Sequence, residues 1–167
     1  MRPPAVLVGG EPGIGKSTLS LQIPLHCPDL RTLYVTGEES AKQVKIRAER
    51  LLAQVPGADL SNCYIYPETL LENIISEAHQ VRPDLIVVDS VQTMYSQNIE
   101  SSPGSVTQIK ETAVQLLKLA KDTGIPVILI GHITKEGSIA GPKILEHIVD
   151  VVLQFEGDDR GAYRLLR

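Results

Sequence analysis

Apolar positions in this chain follow two rhythms. Unbroken runs at residues 5–8, 85–88 and 127–130 read as strands covered on both faces, since a strand inside a layered sheet has no solvent side. Thr-Leu-Tyr-Val-Thr at 32–36 and Cys-Tyr-Ile-Tyr at 63–66 add two β-rich segments. Between the runs, apolar residues recur every three to four positions and predict helices over 16–23, 41–52, 72–81 and 105–123. Local signals mark the boundaries. Pro24 should stop or kink the first helix, Ser40 can cap the second, and Ser105 followed by Gln108 resembles a capping box. Gly57 and Gly124 supply a turn and a helix stop. Near the end the pattern predicts a short helix over 144–149, a strand over 151–155, a turn at 157–161 and a last antiparallel strand.

Strands alternating with helices predict an α/β fold, a mostly parallel central sheet with helices on both faces. Right-handed crossovers place the C-terminal ends of the parallel strands on one edge, where ligands bind in open sheets of this kind. Two long polar segments, 90–104 and 132–142, open onto that edge and are expected to be mobile loops.

The first strand leads into Gly10-Glu11-Pro12-Gly13-Ile14-Gly15-Lys16-Ser17, and a helix follows. This is the P-loop pattern in the setting that gives it meaning. Glycines allow successive backbone N–H groups to point inward, and the helix start adds its positive dipole end. Residues 10–18, with Thr18 opening the helix, are therefore the expected cradle of a nucleoside triphosphate. Lys16 can reach the β- and γ-phosphates, and the Ser17 hydroxyl can hold Mg²⁺. Asp89, at the tip of the run 85–88, suits the second Mg²⁺ position, held directly or through water. In many ATPases a glutamate directly follows that acid, but here the next residue is Ser90. Either carboxylate of Glu38-Glu39 could instead orient the attacking water, with Glu38 preferred; both could also merely complement a helix start. His132 ends the strand at 127–131 and is either a γ-phosphate sensor or a strand-end histidine bonded to backbone.

The totals narrow the class. A length of 167 residues suits one domain with a real core. The formal net charge of −4 offers no bulk attraction to nucleic acid or membrane. Cys27 and Cys63 read as reduced cytosolic thiols rather than a zinc site. No apolar run is long enough to span a bilayer, and a cytoplasmic location is expected. The chain starts close to its first strand and stops inside an expected strand, the pattern of an excised domain covering residues 1–167. An N-K-x-D motif for guanine and an L-S-G-G-Q stretch are both missing. A small-molecule kinase is disfavoured because residues 90–142 hold no arginine to clamp a transferred phosphoryl group.

The P-loop, the acid after the next strand, Asp89-Ser90 and a polar residue ending the following strand together resemble a RecA-type ATPase core, a three-layer P-loop NTPase. V-G-G-E-P-G-I-G-K-S-T-L (8–19), Y-V-T-G-E-E-S (34–40), K-I-R-A-E-R-L (45–51), D-S-V-Q-T-M-Y-S (89–96) and G-H-I-T-K-E-G-S-I-A-G-P (131–142) closely resemble the RadA (Sms) family of bacterial DNA-repair ATPases. That resemblance implies an ATP- and Mg²⁺-dependent motor that processes branched recombination intermediates by moving on single-stranded DNA. It implies a homo-oligomeric ring, expected to be a hexamer, with ATP between subunits and a recombinase as partner. The segments 90–104 and 132–142 would be the channel loops, with Lys135 on a DNA phosphate and Tyr95 stacked on a base. A solvated lysine and a partly buried tyrosine are the plain alternatives. A zinc module, a Lys-Asn-Arg-Phe-Gly motif and a Lon-like domain of that family lie outside this sequence. If the motif supplies a cationic finger across subunits, worth about 10³–10⁵ in rate, this chain should bind ATP–Mg²⁺, turn it over slowly and form rings poorly. A regulatory RecA-fold ATPase of the KaiC type is the alternative function.

Overall fold

The computed structural model describes residues 4–133, 142–158, 161 and 163–167. Its strands are β1 (Ala5–Gly10), β2 (Thr32–Thr36), β3 (Cys63–Pro67), β4 (Leu85–Asp89), β5 (Val127–His132), β6 (Val151–Gly157) and β7 (Arg164–Leu166). The helices are α1 (Lys16–His26), α2 (Ala41–Leu52), α3 (Leu71–Val81), α4 (Val106–Thr123) and α5 (Pro142–Leu145), with a 3₁₀ turn at Val91–Thr93. The strands form one sheet in the order β3-β2-β4-β5-β1-β6-β7. Every neighbouring pair is parallel except β6 with β7.

Side chains alternate across the sheet with the period of two that strands impose. Leu33, Val35, Ile86, Val88 and Leu129 face one core with Ile74, Ile109 and Leu116 of α3 and α4. Tyr34, Leu85, Val87 and Ile130 face the other core with Leu21 of α1 and Val44 of α2. The result is three layers. It brings the ends of β1, β2, β4 and β5 to one edge, the arrangement that the alternation of elements predicts.

Local departures have physical causes. Helix α1 runs through Pro24 to His26, because a proline in the last turn forfeits only one backbone bond and the Cys27 N–H still reaches Ile23 O at 3.0 Å. The last short helix occupies Pro142–Leu145, earlier than the pattern predicts. Ser105 caps α4 by accepting from Gln108 N, yet the Gln108 side chain does not reach back to complete a capping box. The segment 90–104 is not a free loop at its base. Ser90, Val91, Met94 and Ser96 are buried, and Tyr95 exchanges backbone hydrogen bonds with Thr69 and Leu71.

Candidate functional site

The turn after β1 is built by two glycines with positive φ, Gly13 at 78° and Gly15 at 110°, a region that residues with a Cβ rarely enter. Gly15 is the N-cap of α1 and offers no side chain, so the helix's first amides are left to whatever approaches the turn. Lys16 is only 3% exposed. Its Nζ donates to Gly10 O and Glu11 O, both at 2.7 Å, which engages two of its three protons. Burial lowers its pKa, against the opposing pull of Asp89, Glu38 and Glu11.

Asp89 is 4% exposed at the end of β4. The Tyr34 hydroxyl donates to its Oδ2 at 2.7 Å, and Ser17 sits near enough to the same phenol to pull its pKa down. Burial, and then the charge and hydrogen bond of Asp89, raise the Tyr34 pKa, so the phenol stays protonated as a donor. One buried tyrosine thus lies between the helix that carries Lys16 and Ser17 and the strand that carries Asp89, and bonds the latter. The pattern of residue types gave this residue no role. Its one legible signal was a phenol inside a fully buried strand, since a buried Tyr O–H needs a partner.

The structure separates Glu38 from Glu39. Glu38 Oε1 accepts from Ser90 Oγ at 2.6 Å and lies 2.7 Å from His132 Nε2. Partial burial pushes its pKa up, but hydrogen bonds from Ser90 and His132, with the charges of His132 and Lys16, outweigh that and hold it below the usual carboxylate range. Glu39 turns the other way and is gripped at both oxygens by Arg47, at 2.7 and 2.6 Å. Arg47 is therefore not part of a purely solvated face.

Backbone around the site is cross-tied. Gly37 N donates to Asp89 O at 2.8 Å, and Gln92 Nε2 donates to His132 O at 3.0 Å. A Cβ added at Gly37 would lie 2.0 Å from Thr93 Oγ1, so a side chain here would collide with the 3₁₀ turn that follows β4. Tyr95, half-buried, has its backbone bonded to Thr69 and Leu71. Lys135 lies outside the described residues.

Oxygen donors suit a hard cation such as Mg²⁺, which usually takes one or two protein oxygens and completes its shell with substrate phosphates and water. The Asp89 carboxylate and the Ser17 hydroxyl, both close to the Tyr34 phenol, match that donor set. Among the described residues no group of three or more His, Cys, Asp or Glu forms a richer cage.

The strand order and the P-loop turn define a three-layer P-loop fold of RecA type. The chain belongs to the AAA domain family, which matches residues 4–138. It is similar to the DNA repair protein RadA of Listeria monocytogenes serovar 1/2a, 51% identical over 164 residues, and to that of Bacillus subtilis strain 168, 49% identical over 164 residues. Each match covers 97% of this chain and 35% of the relative, so the chain spans about a third of their length. The likeness to the RadA family that the motifs carry thus extends along almost the whole chain, as a core only. A solved structure of another protein's ATPase domain superposes with a TM-score of 0.74 at 17% identity, covering 96% of this chain and 72% of that one; at this identity the likeness concerns the fold.

Proposed function

We propose that this chain is a single RecA-like domain, residues 1–167, that binds and hydrolyses ATP as the core of a DNA-repair motor. The observation that carries the reading is the meeting of Glu38, Ser90 and His132 beside Lys16 and Asp89, at the strand ends above the P-loop. The amides of residues 10–18 and the Lys16 ammonium hold the phosphate tail, and Ser17 and Asp89 would hold a Mg²⁺ ion, which would supply charge neutralisation for the phosphates. Glu38 orients the attacking water and accepts its proton while the β–γ bridging bond breaks, giving ADP and phosphate. A carboxylate held below its ordinary pKa is a weak base but a dependable acceptor, which suits a reaction governed by positioning. Ser90 and His132 fix its orientation.

For the longer protein we propose the role its relatives' name carries: repair of DNA through recombination intermediates. That role would use single-stranded DNA, a homo-oligomeric ring, a recombinase partner and the cytoplasm. Lys135 and Tyr95 are the proposed DNA contacts. The core reading is tested by ATP turnover and nucleotide binding in two variants. Lys16→Ala should lose nucleotide affinity about tenfold or more. Glu38→Gln should keep affinity and lose about 10²–10⁴ in kcat. Wild-type turnover in Glu38→Gln would remove the carboxylate from the mechanism.

A further inference from the structure

The P-loop has two flanks, and the groups proposed for hydrolysis occupy only one. On one side of β1 lie β5, β4 and β2, which bring His132, Asp89 and Glu38. On the other side lies the β6–β7 hairpin. Its residues Phe155, Gly157, Arg164 and Leu166 share one face, because Phe155 pairs with Leu166 and Gly157 with Arg164.

That face packs on the phosphate-binding turn. A Cβ built at Gly10 would lie 2.6 Å from Phe155 O, and one at Gly157 would lie 3.2 Å from Ile14 Cδ1. A Cβ built at Gly15 would lie 3.1 Å from Arg164 Nη1 and 3.6 Å from Phe155 Cε1. The Arg164 guanidinium therefore lies beside the residue that precedes Lys16. Its cross-strand neighbour Gly157 has no side chain to hold it, and among the described residues Arg164 makes no hydrogen bond or ion pair through its side chain. Arg167, on the opposite face, is the arginine that meets Glu156, at 3.8 Å.

We propose that Arg164, with the Phe155 ring near it on the same face of the hairpin, holds the nucleoside end of the bound nucleotide, the α-phosphate and the adjoining base face. This rests on the nucleotide reading above. The terminal phosphate belongs on the flank of Glu38 and Asp89, so the rest of the ligand leaves the turn toward β6 and β7. A planar guanidinium suits that end twice over. It donates in a fork to phosphate oxygens and stacks flat on an aromatic face. It also places a cation in cis at the site, in a chain whose span from 90 to 142 contains no arginine.

The test uses titration calorimetry with two probes, ADP and inorganic tripolyphosphate, on wild type, Arg164→Ala and Lys16→Ala. Arg164→Ala should weaken ADP about tenfold and tripolyphosphate clearly less, since that probe keeps the phosphate contact but has no base to stack, with an unaltered unfolding temperature because the side chain is exposed. Unchanged ADP affinity, or an equal loss for both probes, would overturn the proposal. Lys16→Ala should lose both probes; if it binds ADP like wild type, the nucleotide site itself is wrong, whatever Arg164 does.

Discussion

Glu38 and Glu39 are adjacent, chemically alike, and committed to different partners, so they offer the sharpest comparison at this site. Glu39 is spent on Arg47 in a half-exposed bidentate pair. Glu39→Gln should therefore keep turnover within about threefold and cost roughly 0.5–1 kcal/mol of stability, read from denaturant unfolding. Glu38 also leaves a mark on pH dependence. Its folded pKa lies below the ordinary 4.5 because Ser90 and His132 bonds outweigh burial. Its stabilising contribution is thus present above about pH 4.5 and disappears as pH falls through the lower folded value. Thermal unfolding from about pH 6 down to about pH 3 should show a shallower acid decline in Glu38→Gln than in wild type. Parallel declines would mean that the contacts of Glu38 do not favour its ionised form. Motif spacing and strand ends were enough to point to Lys16, Ser17, Asp89 and Glu38 in the sequence. They could not point to Tyr34 or Ser90, whose contacts come from meetings 55 and 52 residues apart in the chain.

Most elements were legible because their signals are local: β2, β4 and α2 occupy the predicted residues, with Ser40 capping α2. The segment 90–104 was not, because polarity alone reads as loop. Its order comes from Gln108, on α4 and only 1% exposed. The Gln108 Nε2 donates to Ser96 O at 3.0 Å, Ser101 O at 2.9 Å and Ile99 O at 3.3 Å, while its Oε1 accepts from Ser96 N at 2.9 Å. A capping-box glutamine spends its amide on the helix start, whereas this one is spent on the segment before it. Ser96 and Asn98 are tied in addition to Glu72 on α3. Gln108→Leu keeps the volume but strands buried backbone groups, so it should cost about 2–4 kcal/mol. For a domain of this size that is an unfolding temperature about 5–15 °C lower. Hydrogen exchange should speed up at Ser96 and not at β4; an unchanged Ser96 amide would show that the segment holds itself in place.

At the scale of the whole molecule, electrostatics limits how such a domain can meet DNA. A chain with net charge −4 repels a polyphosphate on average, so single-strand binding needs cations gathered at one place. In the proposed ring, several copies would add their contacts along one strand. A longer protein of the proposed kind should therefore bind single-stranded DNA with log K falling steeply against log salt, while this chain alone binds feebly. Each phosphate contact contributes about −0.7 to that slope on a single strand. Lys135→Ala in the longer protein should flatten the slope by about that amount for every subunit gripping the strand, and should weaken all sequences alike. Tyr95→Ala should reduce affinity without changing the slope, because stacking releases no counterions. If the longer protein hydrolyses ATP yet shows no salt-dependent hold on single strands, the nucleotide site stands and the motor does not. The fold would then serve a regulatory ATPase, in which the same Glu38 chemistry times a conformational change.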